Sequence, residues 1–157
     1  MEIQDLIDHV AAMDGVLVLA PQEGDGTPDI AWGDVFFYYA PDGVIPRSQP
    51  FATIVTKDYP DDTASRLDRP GAFRVNVAAG AEQFHRLTAQ QPDASTAPPV
   101  DPSMSDVVLP HPVYGSLNWL AVVNPGSNTT AVLKELLAAA HHSARDRSTR
   151  REDLRRP

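Results

Sequence analysis

The stretch FRVNVAAGAEQFHRLTA, residues 73–89, changes its period halfway along. Phe73, Val75 and Val77 alternate with Arg74 and Asn76, the two-residue rhythm of a strand with one apolar face. From Gly80 the rhythm lengthens. Ala81, Phe84 and Leu87 recur every third residue, as on one side of a short helix over 80–89. Upstream lie three further strand patterns. Phe51 to Thr56 is rich in β-branched residues, Val35 to Tyr39 is apolar and aromatic, and Val16 to Leu19 is a short apolar run bounded by Pro21. Gln22 to Asp29 reads as a loop, and Ile30-Ala31-Trp32 faces Val35–Tyr39 across Gly33-Asp34, a spacing that predicts a hairpin. At the start of the chain, Ile3, Leu6, Ile7 and Val10 form one stripe of an amphipathic helix that stops near Gly15.

Downstream, residues 90–106 hold Pro92, Pro98, Pro99 and Pro102 and no aromatic side chain, which predicts a long surface loop. Leu117, Trp119, Ala121 and Val123 then alternate as another strand. Asn124-Pro125-Gly126 turns the chain, and Ser127 to Thr129 offer N-caps. A last helix carries Val132, Leu133, Leu136, Leu137 and Ala140 on one face. Helix, strands, helix, strand, helix is an α+β order. The expectation is a single domain over 1–146, a twisted antiparallel sheet packed by the N- and C-terminal helices, with a frayed basic tail at 147–157. Its core is expected to unite Leu6, Val10, Phe73, Val75, Val77, Leu117, Trp119, Ala121, Leu133 and Leu137.

The chain has 157 residues, enough to bury a core without staples. It has no cysteine, which excludes disulfides, thiolate zinc sites and a cysteine nucleophile. No apolar run nears the ~20 residues of a bilayer span. The first ten residues are acidic and amphipathic, unlike a secretory signal. A cytoplasmic protein with no membrane partner is expected. Net charge is −8, unevenly spread: Arg145, Arg147, Arg150, Arg151, Arg155 and Arg156, set against Asp146, Glu152 and Asp153, give the C-terminal stretch +3 and leave −11 on residues 1–144. So acidic a body repels nucleic-acid phosphates. The arginine tail suits a helix C-terminus, where cations meet the negative end of the dipole.

The motifs of common chemistries are missing. His141 and His142 point ~100° apart on a helix and make a poor metal pair, and no ligand spacing such as His-Glu-x-x-His occurs. Gly24-Asp25-Gly26 lacks the lysine and the following helix of a phosphate loop, and no serine sits in a Gly-x-Ser-x-Gly elbow. No metal and no cofactor is expected. Two places remain. Lys57, Arg66, Arg69 and Arg74 are four of the seven basic residues in the acidic body. Arginine forks bind carboxylate or phosphate, so these residues are candidates for a small anionic ligand. Equally, Arg66, Arg69 and Arg74 can pair with Asp58, Asp61, Asp62 and Asp68 and only fasten the loop. His111 and Tyr114, in the stiff segment Pro110-His111-Pro112-Val113-Tyr114-Gly115, join the candidate site. His111 is either a general base beside Tyr114 or a loop histidine packed on an aromatic ring. Finally, Phe36-Phe37-Tyr38-Tyr39 must face both sides of a sheet. One side can then form an aromatic platform that stacks rings or bases, or packs in a homodimer.

The blocks IAWGDVFFYYAPDG (30–43), PFATIVTKDYP (50–60), SRLDRPGAFRVNV (65–77) and HPVYGSLNWLAVVNPG (111–126) resemble an actinobacterial family catalogued as domain of unknown function 6194. The resemblance covers roughly residues 1–146 and implies no activity. More distantly, the order of elements is similar to the MmcQ/YjbR family, which implies a frataxin-like α+β arrangement and, by analogy, nucleic-acid binding. Tyr114, Asn118 and Trp119 follow the order of that family's tyrosine-bearing segment, while the lysine and histidine between its asparagine and tryptophan are absent here. Taken together, the sequence points to a non-catalytic binding or accessory domain. An anion-binding or enzymatic site at the basic cluster is the alternative, and nucleic-acid binding a second one.

Overall fold

The computed structural model describes residues 1–88 and 101–155. Six strands form one antiparallel sheet: β1 (Val16–Leu19), β2 (Val35–Tyr39), β3 (Ala52–Val55), β4 (Arg74–Ala78), β5 (Val108–Pro110) and β6 (Trp119–Val123), in the order β1-β2-β3-β4-β6-β5. Three helices accompany them: α1 (Ile3–Ala11), α2 (Gly80–Thr88) and α3 (Thr130–Arg155). This is the α+β domain with N- and C-terminal helices that the sequence suggests.

The register assigns the two faces of the sheet. Val35, Ile54, Val75, Val122 and Val108 form one row across five strands, and Phe37, Ala52, Val77 and Leu120 form the next. Both rows face the helices. Leu6 and Val10 of α1 and Leu133, Leu136, Leu137 and Ala140 of α3 close over them. Burying each such side chain contributes about 1.5–3 kcal/mol. Gly15 turns the chain from α1 into β1 at φ +67, and a Cβ there would lie 2.7 Å from the Tyr39 ring, so both backbone and space demand glycine. The N-terminus of α3 is capped from a distance. The Asp106 carboxylate accepts the N–H groups of Gly126, Asn128 and Thr129 and the Thr129 hydroxyl. The expected cap at Ser127–Thr129 is thus supplied mainly by a residue twenty positions upstream.

Three expectations need correction. The strand at 117–123 has the opposite phase: Leu117 is 67% exposed in a one-turn 3-10 helix, while Trp119 and Ala121 lie on the face away from α1 and α3 and Leu120 and Val122 enter the helix-side core. Residues 30–32 form no hairpin with β2. Asp29–Ala31 is a 3-10 turn, and β2 pairs with β1 and β3. Pro28 starts that turn, the Trp32 indole donates to Thr27 O, and the Asp34 carboxylate accepts the N–H and hydroxyl of Thr56 at the end of β3. Arg74 and Asn76, expected on a half-solvated face, are buried. Of the proline-rich loop at 90–106, residues 90–100 lie outside the described residues, as does Ala89 at the end of the expected helix. The end of the loop, 101–106, is made of turns and a bridge from Ser105 to Val123.

Candidate functional site: a cavity on the open face of the sheet

The face away from α1 and α3 carries Phe36 and Tyr38 of β2, Thr53 and Val55 of β3, Arg74 and Asn76 of β4, and Trp119, Ala121 and Val123 of β6. The chain between β3 and β4, residues 56–73, folds over one end of it. Leu67, Ala72 and Tyr59 pack on Val55 and Val123 there. The other end stays open as a cavity of ≈ 540 Å³. Phe36, Tyr38, Tyr59, Tyr114 and Trp119 wall it, and Thr53, Arg74, Asn76 and His111 form its floor. At the mouth stand Ile30, Val113, Tyr114 and Leu117, four of the eight large apolar side chains that are exposed among the described residues. Exposed apolar groups gathered at one opening are a feature that ligand-binding surfaces share.

The floor is a connected polar network. Arg74 is 1% exposed and directs its whole guanidinium inward. Its Nε donates to Asn76 Oδ1 at 2.7 Å, Nη1 donates to Asp62 Oδ1 at 3.0 Å and Ser65 Oγ at 2.9 Å, and Nη2 lies 2.5 Å from Asp62 Oδ2. Asn76 Nδ2 donates to Thr53 Oγ1 at 3.0 Å. Burial alone would raise the Asp62 pKa, but the Arg74 hydrogen bonds and charge outweigh it and hold the carboxyl below the usual range. A bidentate arginine–carboxylate pair whose other donors reach Asn76 and Ser65 is an arrangement in which a buried charge is tolerated.

His111, 5% exposed, completes the floor. Its ring lies 5.0 Å from the Tyr114 ring and 6.5 Å, edge-on, from Trp119. Both Val113 N–H and Tyr114 N–H donate to Nδ1, each at 3.0 Å. Two backbone donors on Nδ1 favour the tautomer with its ring proton on Nε2. Nε2 lies 3.2 Å from Arg74 Nη2. Burial first, and Arg74 second, pull the His111 pKa down to about 4 against the opposing pull of Asp62, so the ring is neutral at pH 7.

Of the residues singled out in the sequence, Arg74, His111 and Tyr114 meet at this cavity, and Lys57, Arg66 and Arg69 do not line it. Lys57 Nζ sits 3.1 Å from Asp34 Oδ1, above the Tyr59 ring. Arg69 donates to the carbonyls of Arg66, Ser65 and Ser103, and exposed Arg66 takes a left-handed φ of 55. Asp58 and Asp68 accept backbone N–H groups of Leu67 and Asp58. The basic segment therefore fastens its own loop, and only Arg74 turns into the cavity. The aromatic run behaves as its alternation requires: Phe36 and Tyr38 reach the cavity, while buried Phe37 joins the helix-side core. Thr53, Tyr59, Asp62, Asn76 and Trp119 were not singled out as site residues. One signal was available, since Arg74 and Asn76 are polar at alternate positions of a strand flanked by strands on both sides.

A smaller hollow of ≈ 300 Å³ lies between α3 and the chain before β3, beside the exposed Arg147 and Arg151. It has no buried polar floor. Among the described residues no three His, Asp or Glu side chains gather to hold a metal, and no helix is long and apolar enough to cross a membrane. No curated protein and no solved structure matches the chain. Its sequence does match one family throughout nearly all its length: the chain belongs to the family of unknown function DUF6194, over residues 1–153.

Proposed function

We propose that this protein is a non-catalytic binding domain that takes a small, flat, mainly apolar molecule into the cavity on the open face of its sheet. The observation that carries this reading is the combination of aromatic walls with a charge-compensated polar floor. A ring enters against Phe36, Tyr38 and Trp119, and its polar end meets Arg74, Asn76 and His111. Binding rather than catalysis is favoured by His111 itself. Nδ1 accepts two backbone N–H groups and Nε2 faces a guanidinium, so neither nitrogen is free to take a substrate proton. A small molecule is favoured over nucleic acid because two carboxylates, Asp61 and Asp62, stand against the single guanidinium around the cavity. The separation of Lys57, Arg66 and Arg69 from the cavity moves the binding site off the basic segment.

The test is a thermal-shift screen with planar bicyclic compounds. A ligand at one hundred times its Kd adds about 2.7 kcal/mol to the folded state. At about 2–4 °C per kcal/mol, that raises Tm by roughly 5–10 °C. Ala31→Trp, which fills the cavity from its rim, is expected to abolish the shift while leaving the unliganded Tm within about 2 °C. A hit that stabilises Ala31→Trp as much as the wild type places binding elsewhere.

A further inference from the structure

The hydrogen-bonding groups of the floor are unequally provided for. Every acceptor named in it is engaged: both Asp62 oxygens, Asn76 Oδ1, Ser65 Oγ, Thr53 Oγ1 and His111 Nδ1 each accept at least one hydrogen bond. The donors are in surplus. Asn76 Nδ2 has two hydrogens and one partner, Thr53. His111 Nε2 carries the ring proton, and its one polar neighbour is Arg74 Nη2, itself a donor, at 3.2 Å. Moving the proton to Nδ1 would remove this conflict but create two, with the Val113 and Tyr114 N–H groups. The Nε2–H form is therefore the less frustrated one, and it leaves a buried donor set against Arg74 Nη2, both residues lining the cavity. A buried donor without an acceptor costs about as much as a lost hydrogen bond, and a ligand oxygen placed there recovers it.

The charge of that oxygen follows from the same inventory. Arg74, the single cation of the lining, is already committed to Asp62 through two hydrogen bonds, and Asp61 stands at the wall. An anion would arrive beside two carboxylates with no free cation to meet it. A cation would find aromatic faces but would set its charge against Arg74 and its protons against the surplus donors of the floor. An uncharged oxygen acceptor meets neither penalty.

Resting on the reading of this cavity as a ligand site, we infer that its ligand is a planar ring bearing an uncharged carbonyl oxygen, seated between His111 Nε2 and Arg74 Nη2 within reach of Asn76 Nδ2. Ring and oxygen have separate partners. The aromatic walls hold the ring, and the floor reads the oxygen.

Four probes that share one ring separate these contributions: 2-acetylnaphthalene, 2-isopropenylnaphthalene, 2-naphthoate and (2-naphthyl)methylammonium. Each is titrated into the full-length protein and followed by ¹⁵N–¹H chemical shifts. The ketone is expected to bind about tenfold more tightly than the hydrocarbon of equal shape, the worth of one buried hydrogen bond, and more tightly than either ion. His111→Phe is expected to shrink the ketone's advantage, read as the ratio of the ketone and hydrocarbon affinities measured in that same variant; an unchanged ratio overturns the role of His111 Nε2. Equal affinity for ketone and hydrocarbon overturns the acceptor site while leaving the aromatic cavity as a binding site. Tightest binding of the carboxylate or of the ammonium overturns it in favour of a charged ligand. Failure of all four to bind overturns the cavity reading together with it. A long-range ¹⁵N spectrum of the histidine rings decides independently of how His111→Phe folds. The proton on Nε2 supports the inference, and a proton on Nδ1 overturns it.

Discussion

Replacing Arg74 by methionine removes the centre of the buried network and keeps most of the aliphatic volume. In the folded protein it strands the Asp62 carboxylate, whose side chain is 13% exposed and whose two oxygens both face the guanidinium. It also takes donors from Ser65 Oγ and Asn76 Oδ1. Breaking a buried pair by deleting one partner costs about 3–5 kcal/mol, because the survivor remains charged and desolvated. That is a fifth or more of the ~5–15 kcal/mol by which a domain of this size is stable. With a urea m-value of roughly 2 kcal/mol/M, the midpoint should fall by about 1.5–2.5 M. The double variant Arg74→Met/Asp62→Leu removes the stranded charge as well. It should recover more than half of the loss, so that the coupling in the double-mutant cycle, which also includes the loss from Asp62→Leu alone, is at least about 2 kcal/mol. A single variant that costs under about 1 kcal/mol, or two losses that simply add, would refute a buried, mutually dependent pair.

Three further outcomes are expected. Leu117→Ser should leave stability within about 0.5 kcal/mol, whereas Leu120→Ala should cost about 2–5 kcal/mol; chemical denaturation of the two distinguishes the observed phase of β6 from its opposite. Asp106→Ala should cost about 1–2 kcal/mol and speed amide exchange at 126–130, since it removes the acceptor for three N–H groups at the start of α3. The His111 ring should titrate with a midpoint of about 4 by NMR. Because its folded pKa lies below that of the unfolded chain, near 6.5, the unfolded state takes up the proton first. Stability should then fall as pH drops from about 7 toward 4, and His111→Gln should remove that part of the slope. Asp62, also lowered, acts in the same direction at more acidic pH: its contribution is present above the unfolded carboxyl pKa and lost as pH falls through the folded one.

The β4–α2 stretch was legible because its residue types differ by parity. Val75 and Val77 have polar neighbours, so the inward face is readable. The 117–123 strand was not. Leu117, Trp119, Ala121 and Val123 on one parity and Leu120 and Val122 on the other are all apolar, because β6 lies between β4 and β5 and is covered on both sides. A strand buried on both faces carries no phase in its hydropathy. β5 is not legible for a related reason: three residues ending in Pro110 are too few to show a period. The candidate site was half legible. Arg74, His111 and Tyr114 stood out by residue type, and the run at 36–39 announced aromatic side chains on both faces. What brought them together is register, since Phe36, Thr53, Asn76 and Ala121 form one row only once four strands are aligned. Lys57, Arg66 and Arg69 attracted attention by charge. Yet a loop rich in aspartate and arginine satisfies itself, and sequence spacing does not reveal which arginine is left to face a cavity.

The most direct measurement of where this protein binds is a set of intermolecular NOEs between bound 2-acetylnaphthalene and the ¹³C-labelled protein. Contacts from the naphthalene protons to Phe36, Tyr38 and Trp119, with the acetyl methyl near His111, are the predicted result. Contacts confined to the hollow beside Arg147 and Arg151, or to the loop around Arg66 and Arg69, would contradict it.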